Sequence, residues 1–174
     1  LKSFFDTYPL PIMRVIVTEE KDEEDLVAEM FLRLNSGDTL KAPEIRNAIG
    51  GKMAESIRKI SQHRFFSETV KVKNDRYQHY GIAAQFLLLE HLMQQNRIID
   101  TKAKYLNRLV RNHKKQLPND GTIERVYDVL DTMTRTFKPK DPLLSKPTKM
   151  TLYYILIREA KHQNQLRKIT SASL

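Results

Sequence analysis

The chain has 174 residues, 40% of them hydrophobic, enough for one domain with a real core or for a small lobe joined to a helical bundle. Its 30 Lys and Arg stand against 21 Asp and Glu, and the net charge of +9 favours a polyanionic partner, most economically nucleic acid, although many basic globular proteins have none. The lack of Cys excludes a disulfide framework and a Cys-based metal site and fits a reducing cytoplasm; the apolar runs Ala83–Leu89 and Met150–Ile157 fall far short of the roughly 20 residues a membrane span needs.

Leu1–Tyr8 reads as the end of an amphipathic helix with Phe4 and Phe5 inward, stopped by Pro9 and Pro11. Pro11–Thr18 is rich in β-branched residues and predicts a strand. A strand needs partners, so either Phe65–Val72 supplies a second one or the sheet continues in sequence outside these residues. Asp22–Leu34 predicts a helix, with Leu26, Val27, Met30, Phe31 and Leu34 on one face. The acidic run at its start suits the positive end of the helix dipole; paired carboxylates for metal or acid–base work are the sharper alternative. Asn35-Ser36-Gly37-Asp38 breaks the helix with residues that tolerate left-handed backbone or bond nearby amides. Pro43 then opens a second helix, with Glu44 in its first turn.

That helix is expected to run to His63, burying Ile45, Ile49, Met53, Ile57 and Ile60. Gly50-Gly51 interrupts it. Two glycines cost a helix interior up to about 2 kcal/mol relative to alanine, so they predict a kink or a close backbone approach. No strand precedes them and no Gly-Lys-Ser or Gly-Lys-Thr follows, so they form no phosphate loop.

Arg33-Leu34-Asn35-Ser36-Gly37, followed by Leu40, Glu44 and Arg46-Asn47-Ala48, resembles the signature in the second half of the domain-of-unknown-function 262 family, the GmrS-type amino-terminal domain of modification-dependent restriction systems. The order of elements, an apolar strand and an acidic helix before the motif and a helical region after it, is similar too. The chain departs from the family pattern at Asp38-Thr39, where members often have a second glycine and a longer turn, and at Ala42, where they often have a Ser or Thr cap. The resemblance is specific over about residues 10–50 and architectural beyond. It implies a nucleotide pocket for which Arg33, Asn35, Ser36, Gly37, Glu44 and Arg46 close one side or hold the supporting turn. The Asp-Gly-Gln-Gln-Arg-like stretch that the family associates with nucleotide hydrolysis, in a ParB-like fold, does not occur here. The resemblance thus implies the carboxy-terminal part of such a domain, with no cofactor in this chain and a nucleotide with magnesium in the full-length protein.

Arg64–Asp75 is a connector anchored by Phe65, Phe66, Val70 and Val72, and Tyr77–Gln95 is the most hydrophobic helix, apolar over more than one face and so central. Thr101–Gln116 predicts a helix with Tyr105, Leu106, Leu109 and Val110 inward. Lys104, Arg108, Arg111 and Lys115 make a basic stripe on the opposite face. Asn107 and Asn112 flank the stripe as donors or acceptors for phosphates or base edges. No acidic residue between Lys102 and Gln116 neutralises it; the alternative is an ordinary solvated face. A turn at Leu117–Gly121 leads to an amphipathic helix, Thr122–Phe137, and an irregular loop, Lys138–Pro147. The last helix is capped at Thr148 or a neighbour, buries Met150–Ile157 and ends in Arg158, Lys161, His162, Arg167 and Lys168, which the dipole alone explains; Ser171–Leu174 is expected to fray.

The five scattered His residues show no metal-ligand spacing, and nucleophile elbow, dinucleotide fingerprint and Walker loop are all missing, so no complete active site is expected. The expected fold is mostly α, a helical bundle with a short β element, the carboxy-terminal part of a ParB-like α+β domain. Residues 1–62 would end the ParB-like lobe and residues 63–174 would form the bundle. Functionally, the first expectation is a nucleic-acid-binding or regulatory segment of a restriction or phage-defence protein. Its partners would be DNA and a missing amino-terminal domain or nuclease. A structural protein-interaction module without nucleic-acid binding is the alternative, and a standalone nucleotide hydrolase the third.

Overall fold

The computed structural model describes Met30, residues 40–95, Arg97 and residues 100–163. The expected helix at 1–8, the strand at 11–18, the frayed tail and the turn residues Arg33, Asn35, Ser36 and Gly37 lie outside the described residues; of the 22–34 helix only Met30, which is helical, lies within them.

The described residues are mostly helical and include no strand. Six α-helices are described: α1 Ala42–Ile49, α2 Gly51–Ser61, α3 Gln78–Gln94, α4 Ala103–Asn112, α5 Thr122–Thr136 and α6 Pro147–His162. They pack as a bundle around α3, which touches each of the other five. Hydrophobicity on all sides of α3 explains its place: Tyr80, Ile82, Ala83, Phe86, Leu87 and Leu89 are all buried. Phe86 stacks on Tyr154 of α6, with ring centroids 4.3 Å apart and planes 11° from parallel.

Gly50-Gly51 divides the expected Pro43–His63 helix into two. Gly50 takes φ 70° and Gly51 φ 83°, a region open to glycine at little steric cost. The turn also brings backbone to backbone, because the Lys52 N–H donates to the Lys114 carbonyl at 2.8 Å. A Cβ on Gly51 would stand 2.7 Å from that carbonyl oxygen.

Phe65–Thr69 is a π-helical turn, so this segment does not supply the second strand considered above. A strand would send Phe65 and Phe66 to opposite faces, whereas the turn sinks both into the core, 0% and 1% exposed. Backbone groups here pair with the loop before α6: Lys140 N–H donates to Glu68 O and Asp141 N–H to Thr69 O, each at 3.0 Å.

Two expectations for α6 also need correction. Lys146 stands at its N-cap and Pro147 opens it, one residue before Thr148. Burial of Met150–Ile157 is one-sided: Met150, Tyr154 and Ile157 are buried, but Leu152 is 64% and Leu156 46% exposed. The basic end of α6 has partners beyond the dipole. Arg158 Nε donates to the fully buried Glu90 carboxylate at 2.9 Å, and Lys161 Nζ to Asp128 Oδ1 at 2.6 Å.

Candidate nucleic-acid interface

Helix α4 begins at Ala103 because Asp100 Oδ1 accepts the Lys102 N–H at 2.9 Å, giving the chain an acceptor just before the first helical turn. Leu106, Leu109 and Val110 are buried against the bundle. Helical geometry therefore turns Lys104, Arg108 and Arg111 to solvent, and all three are exposed. Arg108 and Arg111 make no ion pair with a described residue. The Lys104 ammonium sits 4.7 Å from the Tyr105 ring centroid.

The other residues expected on this face are placed differently. The helix ends at Asn112, so Lys115 is exposed in the bend that follows rather than on a fourth helical step. Asn112 is exposed at the last helical position. Asn107 points inward, where its Oδ1 accepts from Arg46 Nη1 at 3.4 Å across to α1. Its place between Leu106 and Arg108 puts it at the margin of the buried stripe, within reach of a cation from the facing helix.

Arg46 and Glu44, the described members of the motif set, lie on α1. Glu44 is occupied by protein partners. Its Oε2 accepts the Lys41 N–H at 2.6 Å, satisfying an amide before the helix in the absence of a Ser or Thr cap. Arg76 grips the same carboxylate with two bonds, Nε to Oε1 at 2.9 Å and Nη2 to Oε2 at 2.8 Å. The hydrogen bonds from Arg76, then the one from Lys41, hold the Glu44 carboxyl below its usual range. Sequence reading did not single out Arg76. It reaches Glu44 from a backbone in which Arg76 (φ 45°) and Tyr77 (φ 61°) are both left-handed, a conformation that neither an Arg nor a Tyr signals in sequence.

Arg46 is a different case. It is only 3% exposed, yet no described carboxylate pairs with it, and its Nε has no hydrogen-bond partner. The Tyr80 hydroxyl, also buried and without a hydrogen-bond partner, is the second such group nearby. Burial pushes that hydroxyl up to about 12, against the opposing pull of Arg46 and Arg58. Arg46 opens onto a cleft of about 400 Å³ between α1, α3 and the start of α4, whose polar lining includes Gln78, Gln85 and Thr101.

No group of His, Asp and Glu side chains suited to a metal occurs among the described residues, and no described helix is long and apolar enough to cross a membrane. No family model, no curated protein and no solved structure matches this chain.

Proposed function

We propose that the chain is a helical nucleic-acid-binding or regulatory segment of a restriction or phage-defence-type protein, acting in the cytoplasm beside a nucleotide-hydrolysing half. The observation that carries the nucleic-acid part is the face of α4. Lys104, Arg108 and Arg111 stand exposed on it, Lys115 follows in the adjoining bend, and no described acidic side chain pairs with Arg108 or Arg111. Contact with phosphates needs no more specific geometry than that, because the attraction is long-ranged and its gain comes from counterion release. The motif around residues 33–48 supports the restriction-type assignment by resemblance alone. It also implies a ParB-like amino-terminal half, a nucleotide with magnesium there, and a nuclease partner.

The test is fluorescence anisotropy with labelled duplex DNA across a salt series. Three or four phosphate contacts predict a slope of log K against log salt of about −3 to −4, and reversing Arg108 and Arg111 to Glu should flatten it by about two. No binding at low salt would sink the reading. It would leave a protein-interaction module, which a separate observation favours: Leu143, Leu152 and Leu156 are 42%, 64% and 46% exposed on and beside α6.

A further inference from the structure

Arginine stays protonated in proteins, and a buried guanidinium is costly unless an anion or several acceptors face it. Arg46 has one long bond, to Asn107 Oδ1 at 3.4 Å, and an Nε without a partner. Its 3% exposure means that water does little to solvate it. The cleft beside it has about 400 Å³, within the range of roughly 300–1,000 Å³ typical of small-molecule sites. Ile82 and Leu106 give the cleft apolar walls, while Gln78, Gln85 and Thr101 bring neutral polar groups. Gln85 is already oriented, since its Oε1 accepts from Thr151 Oγ1 at 3.1 Å. Gly81 also lines the cleft, and a Cβ there would stand 3.1 Å from the Pro43 ring and 3.9 Å from Arg46 Nη2, so the glycine lets α1 lie close against α3 beside the guanidinium.

We propose that this cleft binds a phosphate monoester carried on a small, partly apolar body of mononucleotide size, with the Arg46 guanidinium holding the phosphate and Gln78, Gln85 and Thr101 orienting the rest. A guanidinium matches two phosphate oxygens with parallel N–H donors. The net charge of +9 and the basic face of α4 raise the local potential, which favours a dianionic phosphate over a singly charged carboxylate. The site deepens the nucleotide element of the proposed function and uses none of the exposed cations of α4.

Calorimetric titration of the whole chain with a nucleoside 5′-monophosphate, the parent nucleoside and acetate tests this, with Arg46→Gln and Gln78→Glu as variants. Gln78 is the first residue of α3, where a carboxylate suits the helix dipole, so Gln78→Glu keeps the fold and introduces a repelling charge. The monophosphate should bind, and the nucleoside and acetate should bind at least about tenfold more weakly, a difference of about 1.4 kcal/mol. Arg46→Gln should abolish binding and Gln78→Glu weaken it by about tenfold, with unchanged helical circular dichroism. Oligonucleotides with a 5′-phosphate or a 5′-hydroxyl separate a strand terminus from a free mononucleotide as the source, and preference for either phosphate supports the site. Failure of the monophosphate to bind at millimolar concentration, equal binding of the nucleoside, or full affinity in Gln78→Glu overturns it. Arg108→Glu with Arg111→Glu should flatten the duplex salt slope by about two and spare the monophosphate, so the two proposals fail separately.

Discussion

The Tyr154 hydroxyl donates to Glu90 Oε1 at 2.9 Å, tying the middle of α6 to a carboxylate that is completely buried on α3. Arg158 Nε donates to the same oxygen at 2.9 Å, and Arg125 Nε of α5 lies 3.4 Å from Oε2. One carboxylate therefore joins three helices. Replacing it by alanine leaves guanidiniums half-sheltered without their counter-charge, so Glu90→Ala should destabilise the fold by about 3–5 kcal/mol in urea denaturation. Tyr154→Phe removes one bond to a charged group and should cost about 1.5–3 kcal/mol.

Gly50 and Gly51 share a positive φ but differ in surroundings. Nothing lies within 4 Å of a Cβ on Gly50, whereas one on Gly51 meets the Lys114 carbonyl oxygen at 2.7 Å. Gly50→Ala should cost about 1–3 kcal/mol, because φ 70° with ψ −165° is a backbone region essentially reserved for glycine. Gly51→Ala should cost distinctly more, since rigid backbone must shift. Equal urea midpoints for the two variants would contradict the close approach.

Asn107 and Asn112 separate scaffold from surface on the same helix. Asn107 accepts from the buried Arg46, so Asn107→Ala should lower stability by about 1–3 kcal/mol and leave the duplex salt slope unchanged. Asn112→Ala at an exposed position should change stability by less than about 0.5 kcal/mol. Thermal denaturation beside the anisotropy series reads both.

Burial holds His63, His79 and His91 below the ordinary histidine value of 6.5, in each case as the largest cause. The unfolded chain then binds more protons than the folded one once the pH falls below about 6.5. Their contribution is fully present above that pH and is lost as the pH falls through the depressed folded values. The urea midpoint should be flat from about pH 7 to 8 and decline on acidification below 6.5. A rising midpoint in that window would contradict the assignment.

Long helices were legible in the sequence. Thr122–Phe137 appears as Thr122–Thr136 because its apolar residues repeat at the helical period, and Tyr77–Gln95 as Gln78–Gln94 because its apolar stretch is too long for a strand. The glycine pair also announced itself, since only a break or a close contact justifies its cost. Phe65–Val72 misled because a short apolar run fits a strand or a buried turn equally, and the pairing that decided it came from Lys140 and Asp141, some seventy residues away. Within the candidate interface, exposure of Lys104, Arg108 and Arg111 followed from spacing. The inward turn of Asn107 did not, because it depends on Arg46 of another helix. Arg76, Tyr80 and Gln85 carried no signal at all, their significance resting on partners distant in the chain.

Helix α1 buries only Arg46 and Ile49, while α2, beyond the glycine break, buries Met53, Ala54, Ile57 and Ile60. The two helices thus share a sequence run but differ in what holds them. Polar clasps secure the first, at Glu44–Arg76 and Arg46–Asn107, and apolar packing secures the second. In deuterium exchange, amides of α1 should open and label well before those of α2, and a ligand gripping Arg46 would slow α1 selectively.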